Sequence, residues 1–81
     1  MNFRSSSLRI VKIAADSYHF ILQGRFRQID EIIDGPKLIA MLKKESLDLK
    51  GSAMSAEMVL EMVDALPINQ WIDLSVVERV A

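Results

Sequence analysis

The sequence predicts an α+β domain in which an N-terminal β-hairpin, about residues 3–28, packs on two main helices and a short C-terminal element. Three observations lead to this fold class. Polar and apolar residues alternate over residues 18–29, a segment rich in β-branched side chains precedes them, and helical spacing takes over from Ile29. A chain of 81 residues supports one hydrophobic core, so we expect a single domain over residues 1–81.

The second strand of the hairpin is predicted over residues 18–29. Its odd positions are mostly polar, apart from Ile21 and Ile29, whereas its even positions up to residue 26 are apolar or glycine. An extended chain with this alternation buries one face and exposes the other. The face predicted to be buried consists of Tyr18, Phe20, Leu22, Gly24 and Phe26.

The first strand of the hairpin is predicted over residues 8–14, which read Leu-Arg-Ile-Val-Lys-Ile-Ala. β-Branched side chains fit the half-buried surface of a sheet, so this composition favours a strand. Asp16 and Ser17 follow, and their side chains bond nearby backbone groups in turns. The two strands are therefore expected to run antiparallel.

An all-α domain of four to five short helices is the alternative. If residues 8–23 formed a helix, their polar side chains would fall at spacings of three and four and form one stripe. That stripe would contain Arg9, Lys12, Asp16, His19 and Gln23. Arg25 would lie opposite it, and residues 18–26 have little helix propensity, so we prefer the hairpin.

Helical spacing begins at Ile29. Together with Ile32 and Ile33 it predicts one or two helical turns before Gly35. Pro36 then suits the first position of a new helix, because its missing N–H would have no partner there. That helix is predicted to end near residue 45.

A second main helix is predicted before Pro67, with Ser52 or Ser55 as its N-cap. Its inward face is predicted to contain Met54, Met58, Val59, Met62, Val63 and Leu66, and its outward face Glu57, Glu61 and Asp64. The tail, residues 68–81, is ambiguous. Its apolar alternation favours a strand, but Ser75 followed by Glu78 resembles a capping box, and we favour a short helix slightly.

Composition bounds the class of protein. The chain has no cysteine, which excludes a disulfide framework and thiolate metal sites and favours the cytoplasm. No apolar run approaches the roughly 20 residues that a membrane-spanning helix needs, and the first residues lack the apolar stretch of a secretory signal. We expect a cytoplasmic protein without membrane contact.

Charge is unevenly distributed along the chain. Residues 1–28 hold five basic side chains and one acidic, whereas residues 29–81 hold five basic and ten acidic. Such polarity is typical of nucleic-acid binding, of contacts between copies of one chain, or of solvated surfaces. Charge alone leaves these three alternatives open.

No pattern of residues predicts catalysis. His19 is the only histidine, and no partner for it can be read from the sequence. The acidic cluster Asp30, Glu31 and Asp34 lacks the glycine and alternating oxygen ligands of a calcium loop, and an acidic first turn of a helix explains it. We expect a protein that is not an enzyme and holds no cofactor or metal.

The sequence therefore predicts a small non-enzymatic interaction or regulatory protein that binds another macromolecule and acts as a homodimer. The alternative is a nucleic-acid-binding protein that uses its basic hairpin through Arg9, Lys12, Arg25 and Arg27. Candidate contacts to a partner or nucleic acid are Arg9, Lys12, His19, Arg25 and Arg27, and candidate interface residues are Met58, Met62 and Trp71.

Overall fold

Over the residues that it describes, a computed structural model shows a five-stranded antiparallel sheet with two helices packed on one of its faces. The structure describes residues 2–24, 28–44, 47–49 and 55–80. The elements in chain order are β1 (Asn2–Ala14), β2 (Ser17–Gln23), β3 (Gln28–Ile33), α1 (Gly35–Lys44), β4 (Leu47–Leu49), α2 (Ala56–Asp64) and β5 (Trp71–Val80). The strand order is β3-β2-β1-β5-β4. The predicted α+β class and the N-terminal hairpin packed on two helices are confirmed.

Several predicted features lie outside the described residues. These are the basic contacts Arg25 and Arg27, the apolar Phe26, the helix end near residue 45, the alternative cap Ser52, and Met54.

The hairpin of β1 and β2 turns through Ala15 and Asp16, since Ala14 pairs with Ser17. Asp16 has a positive φ of 52°, a conformation that aspartate tolerates better than most residues. Its Oδ1 accepts a hydrogen bond of 2.9 Å from the backbone N–H of Gly35, the first residue of α1. A Cβ on Gly35 would lie 2.9 Å from that oxygen, so glycine permits this close approach. The turn thereby ties the hairpin to α1.

The predicted helical turn at residues 29–33 is wrong, because β3 occupies this segment. Ile29 and Ile33 lie four residues apart and share a face in a strand as well as in a helix. They pair with Leu22 and Tyr18 of β2, whereas Ile32 points the other way and is 66% exposed. The isoleucine spacing fits a helix and a strand equally well, and it is the pairing with β2 that makes this segment a strand.

The preferred helix in the C-terminal tail is also wrong. The tail forms β5, a ten-residue strand that lies between β1 and β4 inside the sheet. Leu74 pairs with Leu8 and Ile72 with Ile10, so both tail residues extend apolar rows of β1. This long-range pairing outweighs the local capping signal at Ser75.

Helix α1 starts at Gly35, one residue before Pro36, the predicted first position. The Oδ1 of Asp34 accepts a hydrogen bond of 2.9 Å from the Lys37 N–H, which is the bond of an N-cap residue. Asp30 and Glu31 lie on β3 and point to opposite faces of the sheet, as successive strand residues do. The acidic cluster is therefore divided among three different environments.

Helix α2 starts at the predicted cap Ser55, whose Oγ accepts a hydrogen bond of 3.2 Å from the Met58 N–H. Val59 and Val63 are buried as predicted. The inward placement of Met58 and Met62 is wrong, since these side chains are 48% and 44% exposed. The helix has apolar residues on more of its circumference than the sheet covers.

The hydrophobic core lies between the sheet and the helices. Tyr18, Phe20 and Leu22 of β2 point into it, as the alternation predicts, and Leu8 and Ile10 of β1 join them. Its members are Leu8, Ile10, Tyr18, Phe20, Leu22, Ile33, Leu38, Met41, Leu42, Val59 and Val63. Among the described helices, neither has the length and apolar character that crossing a membrane requires.

Candidate interaction surface

The sheet face opposite the helices is built by the odd-numbered positions of β1, β2 and β5 and the even-numbered positions of β3. We call it the open face, because both described helices pack on the other side. Its described residues form three transverse rows, each crossing β3, β2, β1 and β5 in that order. The rows follow directly from the strand registers, so the position of each side chain is fixed by pairing.

The first row, called the apolar row, runs Ile32, His19, Val11, Trp71. Its ends are the most exposed members: Ile32 is 66% exposed and Trp71 is 47% exposed. His19 and Val11, in the middle, are half-buried. Large apolar side chains at both edges of one exposed row are typical of a contact surface.

The second row, called the charged row, runs Asp30, Ile21, Arg9, Asp73. Arg9 and Asp73 form a two-pronged ion pair, with Nε–Oδ1 at 2.7 Å and Nη2–Oδ2 at 3.2 Å. The hydrogen bond from Arg9 is the main reason that the pKa of Asp73 is lowered, and the same bond raises the pKa of Arg9. Both groups therefore stay charged at neutral pH.

Arg9 also joins the charged row to the apolar row. Its guanidinium carbon lies 4.9 Å from the centre of the Trp71 ring, which is the geometry of a cation–π contact. On the same face, towards the β3 edge, His19 Nε2 and Asp30 Oδ1 form a hydrogen bond between β2 and β3. Each side-chain charge on the described open face is thus engaged by a neighbour on an adjacent strand.

The third row runs Gln28, Gln23 and Ser7, and the backbone of Ser7 pairs with that of Ser75 on β5. Between it and the charged row lies an open depression of about 410 Å³, lined by Ser7, Arg9, Ile21, Gln23, Asp73 and Leu74. Hydroxyl, amide and charged groups line this depression. Polar groups therefore lie beside the apolar row, and protein interfaces commonly combine an apolar centre with a polar rim.

Lys12 does not belong to this surface, although the sequence grouped it with Arg9 and His19. It occupies an even position of β1, and its Nζ donates a hydrogen bond to the backbone carbonyl of Asp64, the last residue of α2. Its Nζ also lies 3.6 Å from the Asp64 Oδ1. A cation at the carboxyl end of a helix complements the helix dipole, so Lys12 holds α2 against the hairpin.

The three predicted interface residues do not come together. Met58 and Met62 lie on the exposed side of α2, whereas Trp71 pairs with Val11 on the open face. The helix layer and the open face are opposite sides of a two-layer domain. They are therefore two separate surfaces, and only Trp71 shares one with Arg9 and His19.

Sequence reasoning missed Ile32, Ile21, Asp30 and Asp73 as members of the candidate surface. The signal for Asp73 was the alternation in the tail, where Ile72 and Leu74 flank it. For Ile32, the signal was its position between the buried Ile33 and the charged Glu31 in an extended segment. Among the described residues, no group of three His, Cys, Asp or Glu side chains is placed to hold a metal ion.

Comparison of the chain with protein-family models, curated proteins and solved structures finds no match. Its function is therefore inferred from the chemistry and geometry of its own surfaces.

Proposed function

We propose that this chain is a small non-enzymatic interaction protein that acts as a homodimer, with the open face as the contact between its two copies. The observation that carries the proposal is the apolar row, which ends in the exposed side chains of Ile32 and Trp71 on a sheet face that neither described helix covers. Tryptophan and arginine are the residues most often responsible for binding energy at interfaces, and here Trp71 and Arg9 are in contact.

The size of the open face supports a dimer. The principal extents of the chain are 39, 24 and 19 Å. The five described strands contain 39 residues, which at about 3.3 Å per residue and about 4.8 Å between strands give a face of roughly 600 Å². This lies at the lower end of the roughly 600–1,000 Å² that each partner contributes to an interface of standard size.

The charges of the open face also suit a second copy. If all charges on the face had the same sign, two copies of the face would repel each other. The charged row instead contains Arg9 together with Asp30 and Asp73. Arg9 is paired with Asp73, and Asp30 accepts a hydrogen bond from the ring of His19 when that nitrogen is protonated. Covering the apolar row would therefore bury no described charge of this face without a partner, and an unpaired buried charge is the most costly arrangement.

Sedimentation equilibrium tests the proposal. We expect a mass twice the 9.2 kDa of one chain, with little change between low and high salt, because apolar contacts dominate. Val11→Asp places a carboxylate in the middle of the apolar row and is expected to give monomers. The matched control Met58→Asp introduces the same charge on α2 and is expected to stay dimeric.

Circular dichroism of each variant separates loss of the dimer from loss of the fold, and Trp71→Ala provides a second open-face variant without a new charge. A wild-type monomer at every concentration would overturn the homodimer. Dissociation caused by Met58→Asp but not by Val11→Asp would move the interface to α2.

Nucleic-acid binding is the second candidate function. The observation that favours it is the cation–π pair of Arg9 and Trp71, because aromatic rings and arginines on a sheet can stack with bases. Three of the five predicted contacts nevertheless have carboxylate partners: Arg9 with Asp73, Lys12 with Asp64 and His19 with Asp30. These carboxylates offset the positive charge that phosphates would need.

Fluorescence anisotropy with a labelled single-stranded and a labelled double-stranded oligonucleotide separates the two candidates. Homodimerisation without nucleic-acid binding predicts no saturable signal at low salt. Binding that weakens steeply with salt and is lost in the double variant Arg25→Ala with Arg27→Ala would favour the second candidate instead.

A further inference from the structure

We infer that the outer edge of β3 is a second binding site, which accepts an extended basic segment of another protein as an additional antiparallel strand. β3 is an edge strand in the order β3-β2-β1-β5-β4. Within the described part of the chain it pairs with β2 alone. In an antiparallel sheet, alternate residues of such a strand direct their N–H and C=O groups away from the neighbouring strand. The edge offers the backbone groups of β3, whereas the open face offers side chains of four strands. The inference therefore does not depend on the homodimer, although the two sites share Ile32.

The shape of the edge fits a strand. An open depression is lined by Glu31, Ile32, Ile33, Asp34 and Lys37. Ile32 and Ile33 are successive residues and point to opposite faces of the sheet, so a depression that touches both lies at the outer edge of β3. An added strand would run through this depression and cover the exposed Ile32 side chain.

The charge of the edge determines the chemistry of the segment. From its carboxyl end, β3 presents Ile33, Ile32, Glu31 and Asp30. An antiparallel strand meets these residues in that order, and cross-strand pairs of opposite charge or of apolar side chains are favourable. The complementary segment therefore reads apolar, apolar, basic, basic from its amino end.

A second copy of β3 is disfavoured as the occupant. If two copies of β3 paired about a two-fold axis, the same face of each strand would lie on the same side of the joint sheet. Even-numbered residues would then pair with even-numbered residues, and odd-numbered with odd-numbered. Two registers pair five of its six residues: one places two Asp30 side chains opposite each other, and the other places two Glu31 side chains opposite each other. Like charges directly opposite one another destabilise a sheet, so these acids protect the edge from its own image and attract a basic strand.

The test is a titration of the isotope-labelled full chain with the capped peptide Thr-Thr-Val-Ile-Lys-Arg-Thr-Thr, followed by amide chemical shifts. We expect saturable shifts in residues 28–34, slower hydrogen exchange of the β3 amides that point outward, and weaker binding at high salt. A peptide with Glu-Glu in place of Lys-Arg should give no saturable shifts. A peptide with the order Lys-Arg-Val-Ile should bind less tightly, because its charges oppose isoleucines in the antiparallel register.

Two matched variants assign the site. Glu31→Gln is expected to weaken binding by about two- to five-fold, the range of one cross-strand charge pair. Glu61→Gln makes the same change on the exposed side of α2 and should leave binding unchanged. Saturable shifts confined to α2 or to the open-face residues of β1 and β5, equal effects of the two variants, or no binding at millimolar peptide would each overturn the inference.

Discussion

The two faces of the sheet are built by the same strands and differ in how far their side chains are buried. On the covered face, Leu8, Ile10, Phe20 and Leu22 have no accessible surface. On the open face, the residues between them in the chain remain half-buried or exposed, namely Arg9, Val11, His19 and Ile21. A shift of one position along the chain thus separates residues that form the core from residues available for contacts.

With the open face as the proposed contact, folding and binding depend on alternate positions of one hairpin. Substitutions on the covered face should then change the free energy of unfolding, whereas those on the open face should change association and leave the fold intact. Four substitution experiments test that division, in decreasing order of expected cost.

Phe20→Ala should have the largest effect. Truncating a fully buried phenylalanine costs about 3–5 kcal/mol of unfolding free energy, a large part of the total for a small domain. Its neighbour on the other face, His19→Ala, should cost less than about 1 kcal/mol. Urea unfolding of both variants at one pH measures the contrast, and comparable costs would refute the division of the strands into two roles.

Asp16→Ala should lower the free energy of unfolding by an intermediate amount. Asp16 lies in the turn that sets which residues of the hairpin point to each face. Alanine loses the hydrogen bond to the Gly35 N–H and adopts a positive φ less readily, so we expect a loss of about 1–2 kcal/mol. Asp16→Asn keeps an oxygen acceptor and tolerates the same backbone conformation. Equal losses in the two variants would show that the turn geometry is unimportant.

Tyr18→Phe tests the rim of the covered face, where the hydroxyl of Tyr18 donates a hydrogen bond of 2.9 Å to Asp64 Oδ1. Its removal should cost about 1 kcal/mol. Burial, assisted by this bond to the Asp64 carboxylate, raises the pKa of Tyr18 to about 12. The pKa in the unfolded chain is about 10, so the folded state holds the proton more tightly.

The stability that Tyr18 contributes is therefore fully present below about pH 10 and is lost as the pH rises towards about 12. Urea midpoints of wild type should fall more steeply over this range than those of Tyr18→Phe. Because the chain has one tyrosine, the phenolate absorbance reports this group alone. Ionisation of folded protein near pH 10 would contradict the burial of the hydroxyl.

The ion pair of Arg9 and Asp73 should have the smallest effect on stability. Both side chains are largely exposed, and pairs of this kind contribute about 0.2–1 kcal/mol. A double-mutant cycle with Arg9→Gln and Asp73→Asn should give a coupling in this range that declines with salt. A larger, salt-independent coupling would mean that the open face contributes to the folded core.

The sequence predicted the elements whose signals are local. The alternation at Tyr18, Phe20 and Leu22 and the caps and prolines around the helices predicted the hairpin, α1 and α2. The strands β3 and β5 were not predicted, because their identity depends on partners distant in the chain, such as Leu8 for Leu74. The candidate surface was correspondingly incomplete, since its rows exist only after four strands are paired.

Individual side chains show the same limit. Lys12 lies at an even position yet is polar, and only the position of Asp64 at the end of α2 explains it. Met58 and Met62 have helical spacing, but spacing does not reveal how wide a stripe the sheet covers.

The most direct test of the open face as the dimer contact is an isotope-filtered nuclear Overhauser experiment on an equal mixture of labelled and unlabelled copies. If the open face is the contact, intermolecular contacts are expected among the Trp71 ring and the methyl groups of Val11, Ile21 and Ile32. None is expected to the methyl groups of Met58 and Met62. Intermolecular contacts confined to those methionines, or none at all at concentrations where the sedimenting species is a dimer, would contradict it.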